Sequence, residues 1–140
     1  MKLFIADDEI DVREGIRYLL DWEKLGFFIC GEGKNGQNTL EQILKSHPDV
    51  VLLDIRMPKL SGLEVVKQAK ERGFRGCFII LSGYSDFSYA QEAIRFGVTC
   101  YLTKPIDEDE LEKAVLEARD SIQKEQETRK KLVQYRDRAR

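Results

Sequence analysis

A chain of 140 residues, 42% hydrophobic and 34% charged, is the size of one globular domain with room for a full core. Its net charge of −2 is too small to argue for nucleic acid or a membrane surface as partner. No apolar run approaches the roughly 18 residues of a membrane helix, and the start MKLFIADDE turns acidic too soon for a signal peptide. The charge is uneven. From Arg119 onward eight Lys and Arg stand against four Asp and Glu, so the tail carries +4 and the rest of the chain −6. Cys30, Cys77 and Cys100 are an odd number, far apart and without CxxC spacing, which argues against a disulfide framework and for small core hydrophobes. A cytoplasmic protein with reduced thiols is expected.

In chain order, Lys2 to Ala6 (KLFIA) reads as a buried strand ending in Asp7, Asp8 and Glu9. The next stretch predicts an amphipathic helix, with Ile10, Val12, Ile16, Leu19 and Leu20 facing the sheet. Phe27 to Cys30 reads as a second strand and Gly31 to Asn38 as a Gly/Asn-rich loop. That loop lacks the Lys-Ser/Thr ending of a P-loop. Thr39 to Ser46 is a helix with Leu40, Ile43 and Leu44 inward, stopped at His47-Pro48-Asp49. His47, the only histidine, is expected in a surface loop.

Val50 to Pro58 (VVLLDIRMP) is the stretch the rest is organised around. Four apolar residues run into Asp54, as in a strand buried on both faces of a parallel sheet. Leu63 to Arg72 is a helix with Leu63, Val65, Val66 and Ala69 inward. Cys77 to Leu81 is the fourth strand, closing on Ser82-Gly83. Phe87 to Phe96 is a helix with Ala90, Ala93 and Ile94 on one side, stopped by Gly97. Val98 to Leu102 is the fifth strand, followed by Thr103-Lys104-Pro105. Asp107 to about Ala118 is the last packed helix, its acids suited to the N-terminal end of the dipole.

Five β-α units in about 118 residues predict an α/β fold, a doubly wound five-stranded parallel sheet in the order 2-1-3-4-5. In that order strands 1, 3, 4 and 5 deliver Asp7/Asp8, Asp54, Ser82 and Lys104 to one crevice. Singly, an acid after a strand is often a helix cap, as Asp8 or Glu9 could be, and a lysine there is often solvated. Jointly they form a chemically legible set. Clustered carboxylates repel unless a cation sits among them. Oxygen ligands of this kind, with waters and a phosphate, describe a Mg²⁺ site. Lys104 adds a fixed positive charge and Ser82 a donor, so Asp54 could act as a nucleophile on phosphorus.

These residues carry a resemblance. Asp7-Asp8, DIRMP from Asp54 to Pro58, LSG from Leu81 to Gly83 and Lys104-Pro105 make the chain from Met1 to about Ala118 resemble a two-component response-regulator receiver domain, a flavodoxin-like fold. DWEKLGF, LSGYSDFSYAQEAI and YLTKPID resemble the AraC/YesN-type subgroup, whose receiver precedes a helix-turn-helix DNA-binding domain. The resemblance implies that Asp54 is the phosphoacceptor for a sensor histidine kinase. It implies that Asp8, Asp54 and the Arg56 carbonyl ligate Mg²⁺, with Asp7 acting partly through water. Ser82 would bond the phosphoryl oxygen, Lys104 would pair with it, and Tyr101 would be the switch aromatic. Arg56 and Tyr84 lie where the family tunes dephosphorylation. A cis Lys104-Pro105 bond is also implied. Ser82, where Thr is also common, keeps the hydroxyl and drops a methyl.

The implied module is not an enzyme in the turnover sense, although it assists its own phosphorylation and dephosphorylation. It would switch, and could homodimerise, through the face built by the fourth helix, fifth strand and fifth helix. Residues 1–118 are expected to be the receiver and 119–140 a helical linker toward an effector domain lying outside this sequence. No helix-turn-helix fits in that tail, so DNA would be reached only through the effector, and no membrane is involved. The linker's heptad stripe of Leu111, Val115, Ala118 and Ile122 breaks at Glu125 and Arg129 before Leu132, which is poor for a coiled coil. A stand-alone receiver signalling by protein–protein interaction is the alternative. A haloacid-dehalogenase-like enzyme would need an acid where the chain has Arg56, and the acidic DDEID would repel the phosphate of a flavin.

Overall fold

The sheet's order follows from which strands are apolar on both sides. The computed structural model describes residues 1–83 and 87–138. Its strands are β1 (Lys2–Ala6), β2 (Phe28–Gly33), β3 (Val50–Asp54), β4 (Cys77–Ser82) and β5 (Cys100–Thr103). Its helices are α1 (Ile10–Leu19), α2 (Gly36–Ser46), α3 (Gly62–Glu71), α4 (Phe87–Arg95) and α5 (Glu108–Arg138). The strands are parallel in the order β2-β1-β3-β4-β5, as the alternation of elements predicts. β3, the central strand, is buried at all five positions.

Alternate strand residues feed two cores. Phe4, Val51, Leu53, Phe78 and Ile80 point to the side covered by α2, α3 and α4. Leu3, Ile5, Val50, Leu52, Ile79 and Leu81 meet Ile16 of α1 and Leu111, Ala114, Val115 and Ala118 of α5. Two parallel layers of helix therefore clamp the sheet and leave the carboxyl ends of its strands open at one edge.

Several boundaries differ from expectation for physical reasons. β2 runs to Gly33, because Gly31, Glu32 and Gly33 pair with Phe4, Ile5 and Ala6 of β1. α2 accordingly begins at Gly36, where the Asn35 side chain caps it by accepting from the Asn38 N–H (2.8 Å). A side chain on Gly33 would collide with the Thr39 hydroxyl, so this loop-like glycine is what lets α2 lie against the sheet. β5 starts at Cys100 rather than Val98, because the Gly97 and Val98 N–H groups turn back to the Ile94 and Ala93 carbonyls. Ile10 and Ile94, expected to face inward, are 58% and 69% exposed. Ile10 lies about 200° round α1 from Val12, opposite the Val12-Ile16-Leu19 stripe. In α4 the inner place is held by Ala93, which is fully buried. The cysteines sit half-buried and free on β2, β4 and β5. His47 is the exposed left-handed C-cap of α2. The tail expected to be helical is so as far as Arg138, where it continues α5 without a break.

Gly62 fixes the distance between α3 and the end of β3. Its N–H bonds the Ile55 carbonyl (2.7 Å). A Cβ there would overlap the Asp54 carbonyl oxygen and stand 2.9 Å from the Ile55 Cα. Both obstacles are backbone and cannot rotate away. Gly62→Ala is expected to destabilise the fold by about 1–3 kcal/mol through overpacking, read as a lower urea midpoint.

Candidate functional site

Four strand ends converge as predicted. The register sets Ala6 beside Leu53, so Asp7 and Asp54 come off neighbouring strands. Asp54 pairs with Leu81 and Ser82 with Thr103, which places Ser82 and Lys104 on the other side of Asp54. The Lys104 N–H bonds the Ser82 carbonyl at 2.6 Å, closing this rim. The Lys104-Pro105 peptide is cis.

Asp7, Asp54 and Ser82 are buried, while Asp8 is exposed at the mouth. One carboxylate oxygen from each of Asp7, Asp8 and Asp54 lies within 4.8 Å of the others. Lys104 Nζ donates to Asp7 Oδ2 at 3.0 Å and sits 3.6 Å from Asp54 Oδ2. Asp8 is not a cap, because the N-cap position of α1 is Glu9, and no side chain makes a cap hydrogen bond there. The ordinary explanation for an acid in that place therefore does not apply.

The electrostatics of the set are lopsided. Burial first, and the neighbouring Asp7 charge second, push the Asp54 carboxyl up to about 6, against which Lys104 is only a partial offset. For Lys104, burial works to lower the pKa. The hydrogen bond to Asp7 and the charges of Asp54 and Asp7 outweigh it and hold the amine above its ordinary value. Three carboxylates facing one ammonium are short of positive charge. A hard divalent cation bound by oxygen fits this donor set, with Asp7, Asp8 and Asp54 as its side-chain ligands.

Of the other predicted residues, Arg56 is exposed just beyond β3. Tyr101 is half-buried on β5, beside Ile80, and packs against the α2-α3-α4 core. Tyr84 lies outside the described residues, as does most of the loop from β4 to α4. Sequence reading missed Arg13 and Glu32. Arg13 Nη1 donates to the Asp7 carbonyl (2.7 Å) and its Nε to Glu32 Oε1 (3.1 Å). No local pattern joins two residues on a helix and a strand that the reading ended at Cys30.

A parallel sheet in this order, with acids, a hydroxyl and a lysine gathered at its carboxyl edge, defines a receiver-type signalling module. The family model of the response regulator receiver domain matches residues 3–116, and the chain belongs to that family. Among solved structures, the REC domain of AraT, a response regulator from Geobacillus stearothermophilus, is 40% identical with a TM-score of 0.84. That alignment covers 89% of this chain and 97% of the other. A two component transcriptional regulator AraC from Clostridium phytofermentans is 32% identical with a TM-score of 0.82, covering 90% and 98%. Among curated proteins, the transcriptional regulatory protein YesN of Bacillus subtilis is 37% identical over 110 residues, 79% of this chain and 30% of that protein. The chain thus spans less than a third of that relative, and 48% of the DegU of Brevibacillus brevis. The likeness to AraC-type and YesN regulators agrees with the subgroup motifs. No helix among the described residues is long and apolar enough to cross a membrane.

Proposed function

We propose that Asp54 accepts a phosphoryl group from a sensor histidine kinase, or from a small acyl phosphate, and that the module controls a DNA-binding domain outside residues 1–140. The observation that carries this is the position of the Asp54 carboxylate, buried among Asp7, Asp8 and Lys104 at the end of the central strand. An Asp54 oxygen attacks phosphorus, a mixed anhydride forms, and the bond to the donor breaks. With a phosphohistidine donor, the imidazole leaves with the bonding pair and takes up a proton. Asp7, Asp8, Asp54 and the Arg56 carbonyl would hold magnesium, which when bound supplies positive charge against the phosphoryl oxygens.

The chain's own residues do the rest. Ser82 donates to a phosphoryl oxygen. Lys104, already within reach of Asp54, exchanges part of its pairing with Asp7 for the new charge. Moving the module from mostly inactive to mostly active takes about 5 kcal/mol of differential interaction. One hydrogen bond to a charged group contributes about 1.5–3 kcal/mol. Ser82 therefore needs Lys104 and contacts made on the output face. That face is α4-β5-α5, with Tyr101 as its switch residue and the exposed Ile94 as an apolar group ready for a partner or a second copy. Arg56 and Tyr84 tune the lifetime of the anhydride. Residues 1–118 form the receiver, and 119–140 are the linker that carries its signal, with α5 continuous to Arg138.

Incubation with labelled acetyl phosphate and magnesium is expected to give a hydroxylamine-sensitive label in the wild type and none in Asp54→Asn. Full labelling of a folded Asp54→Asn chain would reject the assignment.

A further inference from the structure

The turn from β1 to α1 carries two of the three clustered acids, yet no side chain caps the helix that follows. A bare helix start leaves its first N–H groups unpaired and free to fray. Here the turn is held from elsewhere. Arg13, whose own N–H makes a bond to the Glu9 carbonyl (3.2 Å), sends Nη1 back to the Asp7 carbonyl at 2.7 Å. The Asp7 N–H bonds the Gly33 carbonyl (3.1 Å), and Asp7 Oδ1 accepts from the Glu9 N–H (2.9 Å). Asp8 therefore lies between two residues whose backbone is fixed.

Arg13 is itself held. Its side chain is only 13% exposed, and Nε donates to Glu32 Oε1 at 3.1 Å. Glu32 Oε2 takes a second cation, Arg17, at 2.7 Å. The Glu32 carbonyl accepts from Gln42 of α2 (3.1 Å), so the anchor is tied to a second helix. Arginine suits the task because its planar fork serves two acceptors in fixed directions, which a lysine ammonium on a flexible stem does not.

We propose that Arg13, anchored by Glu32, is a positioning residue that ties the start of α1 to the Asp7 carbonyl and aims the Asp7 and Asp8 carboxylates at a shared divalent cation. This rests on the reading of the site as a magnesium-dependent phosphoacceptor. The pair touches neither the cation nor the phosphoryl group; it acts through the Asp7 backbone.

The test compares wild type, Arg13→Ala, Arg13→Lys and Glu32→Gln in the 140-residue chain. In metal-free protein, Arg13→Ala is expected to speed amide exchange at Glu9 by about tenfold, the local signature of a loosened turn. Magnesium titration followed by NMR is expected to show affinity weakened by about 10–100-fold in Arg13→Ala and less in Arg13→Lys. Labelling by acetyl phosphate at saturating magnesium is expected to stay near the wild-type rate, since the reacting groups are intact. Should Arg13→Ala not fold, Glu32→Gln, with its backbone contacts unchanged, is expected to weaken magnesium binding by at least about threefold. Wild-type affinity and wild-type Glu9 exchange in the folded variants would overturn the inference alone. A wild-type chain that binds no magnesium would overturn the reading of the site, and this inference with it.

Discussion

Replacing Lys104 with Met will destabilise the metal-free protein at neutral pH by about 2–4 kcal/mol. Removing one member of a buried ion pair strands the other, at a cost of about 3–5 kcal/mol. Lys104 is 30% exposed, so water moderates the loss. The stranded group is chiefly Asp7, whose side chain is 2% exposed and whose Oδ2 accepts from Lys104. Asp54, already pushed up to about 6, would lose its nearest positive charge and move higher still. Acidification should therefore narrow the gap between variant and wild type, because a protonated Asp54 no longer needs the amine. At the other end of the scale, the folded-state pKa of Lys104 is raised. The stability this gives is complete below the ordinary lysine value of about 10.4 and fades as pH climbs through the raised one. Urea unfolding at several pH values measures both limbs. A variant as stable as wild type at pH 7 would show that the amine does not balance the acids.

The opposite substitution has the opposite sign. Asp54→Asn will make the metal-free protein more stable at pH 7.5 by about 2 kcal/mol. An unfolded aspartate ionises near 3.9, while the folded one holds its proton up to about 6. Between those values the folded state binds more protons than the unfolded state, so stability falls as pH rises through the window. Above it the whole penalty is present. At about 1.36 kcal/mol per unit, the shift bounds the penalty near 3 kcal/mol, and water at the open mouth lowers it to about 2. Asparagine has no such titration. Below about pH 3 the wild-type carboxyl is neutral in both states, and the difference between the two chains should close. Magnesium should erase part of the gain, because it binds more tightly to the chain that keeps all three carboxylates. An Asp54→Asn chain less stable than wild type at pH 7.5 would mean that the buried charge is already fully compensated.

These residues were legible in the sequence because short parallel strands are simple to read. VVLLD and CFIILS are apolar on both faces and end abruptly. Once the strand order is known, Asp54, Ser82 and Lys104 must share an edge. What stayed hidden depends on contacts between distant segments. Gly31, Glu32 and Gly33 look like a loop, and only pairing with β1 makes them strand. Glu32 then becomes an anchor for Arg13, 19 residues away. Ile10 and Ile94 lie close enough to helical spacing to look buried, but the spacing does not say which stripe the sheet will take. In α4, small Ala93 holds the inner place and Ile94 is turned outward. The helical tail, by contrast, was legible: with no Gly or Pro after Ala118 the last helix has nothing to stop it, and α5 runs on to Arg138.

The most direct measurement is to find which atom receives phosphorus. The chain is incubated with acetyl phosphate and magnesium, treated with borohydride, which reduces an acyl phosphate and leaves a stable mark, and then digested and sequenced by mass spectrometry. The account predicts one mark, at position 54, lost when magnesium is chelated. A mark at another carboxylate or a phosphoryl group on His47 would contradict it, as would labelling indifferent to the metal.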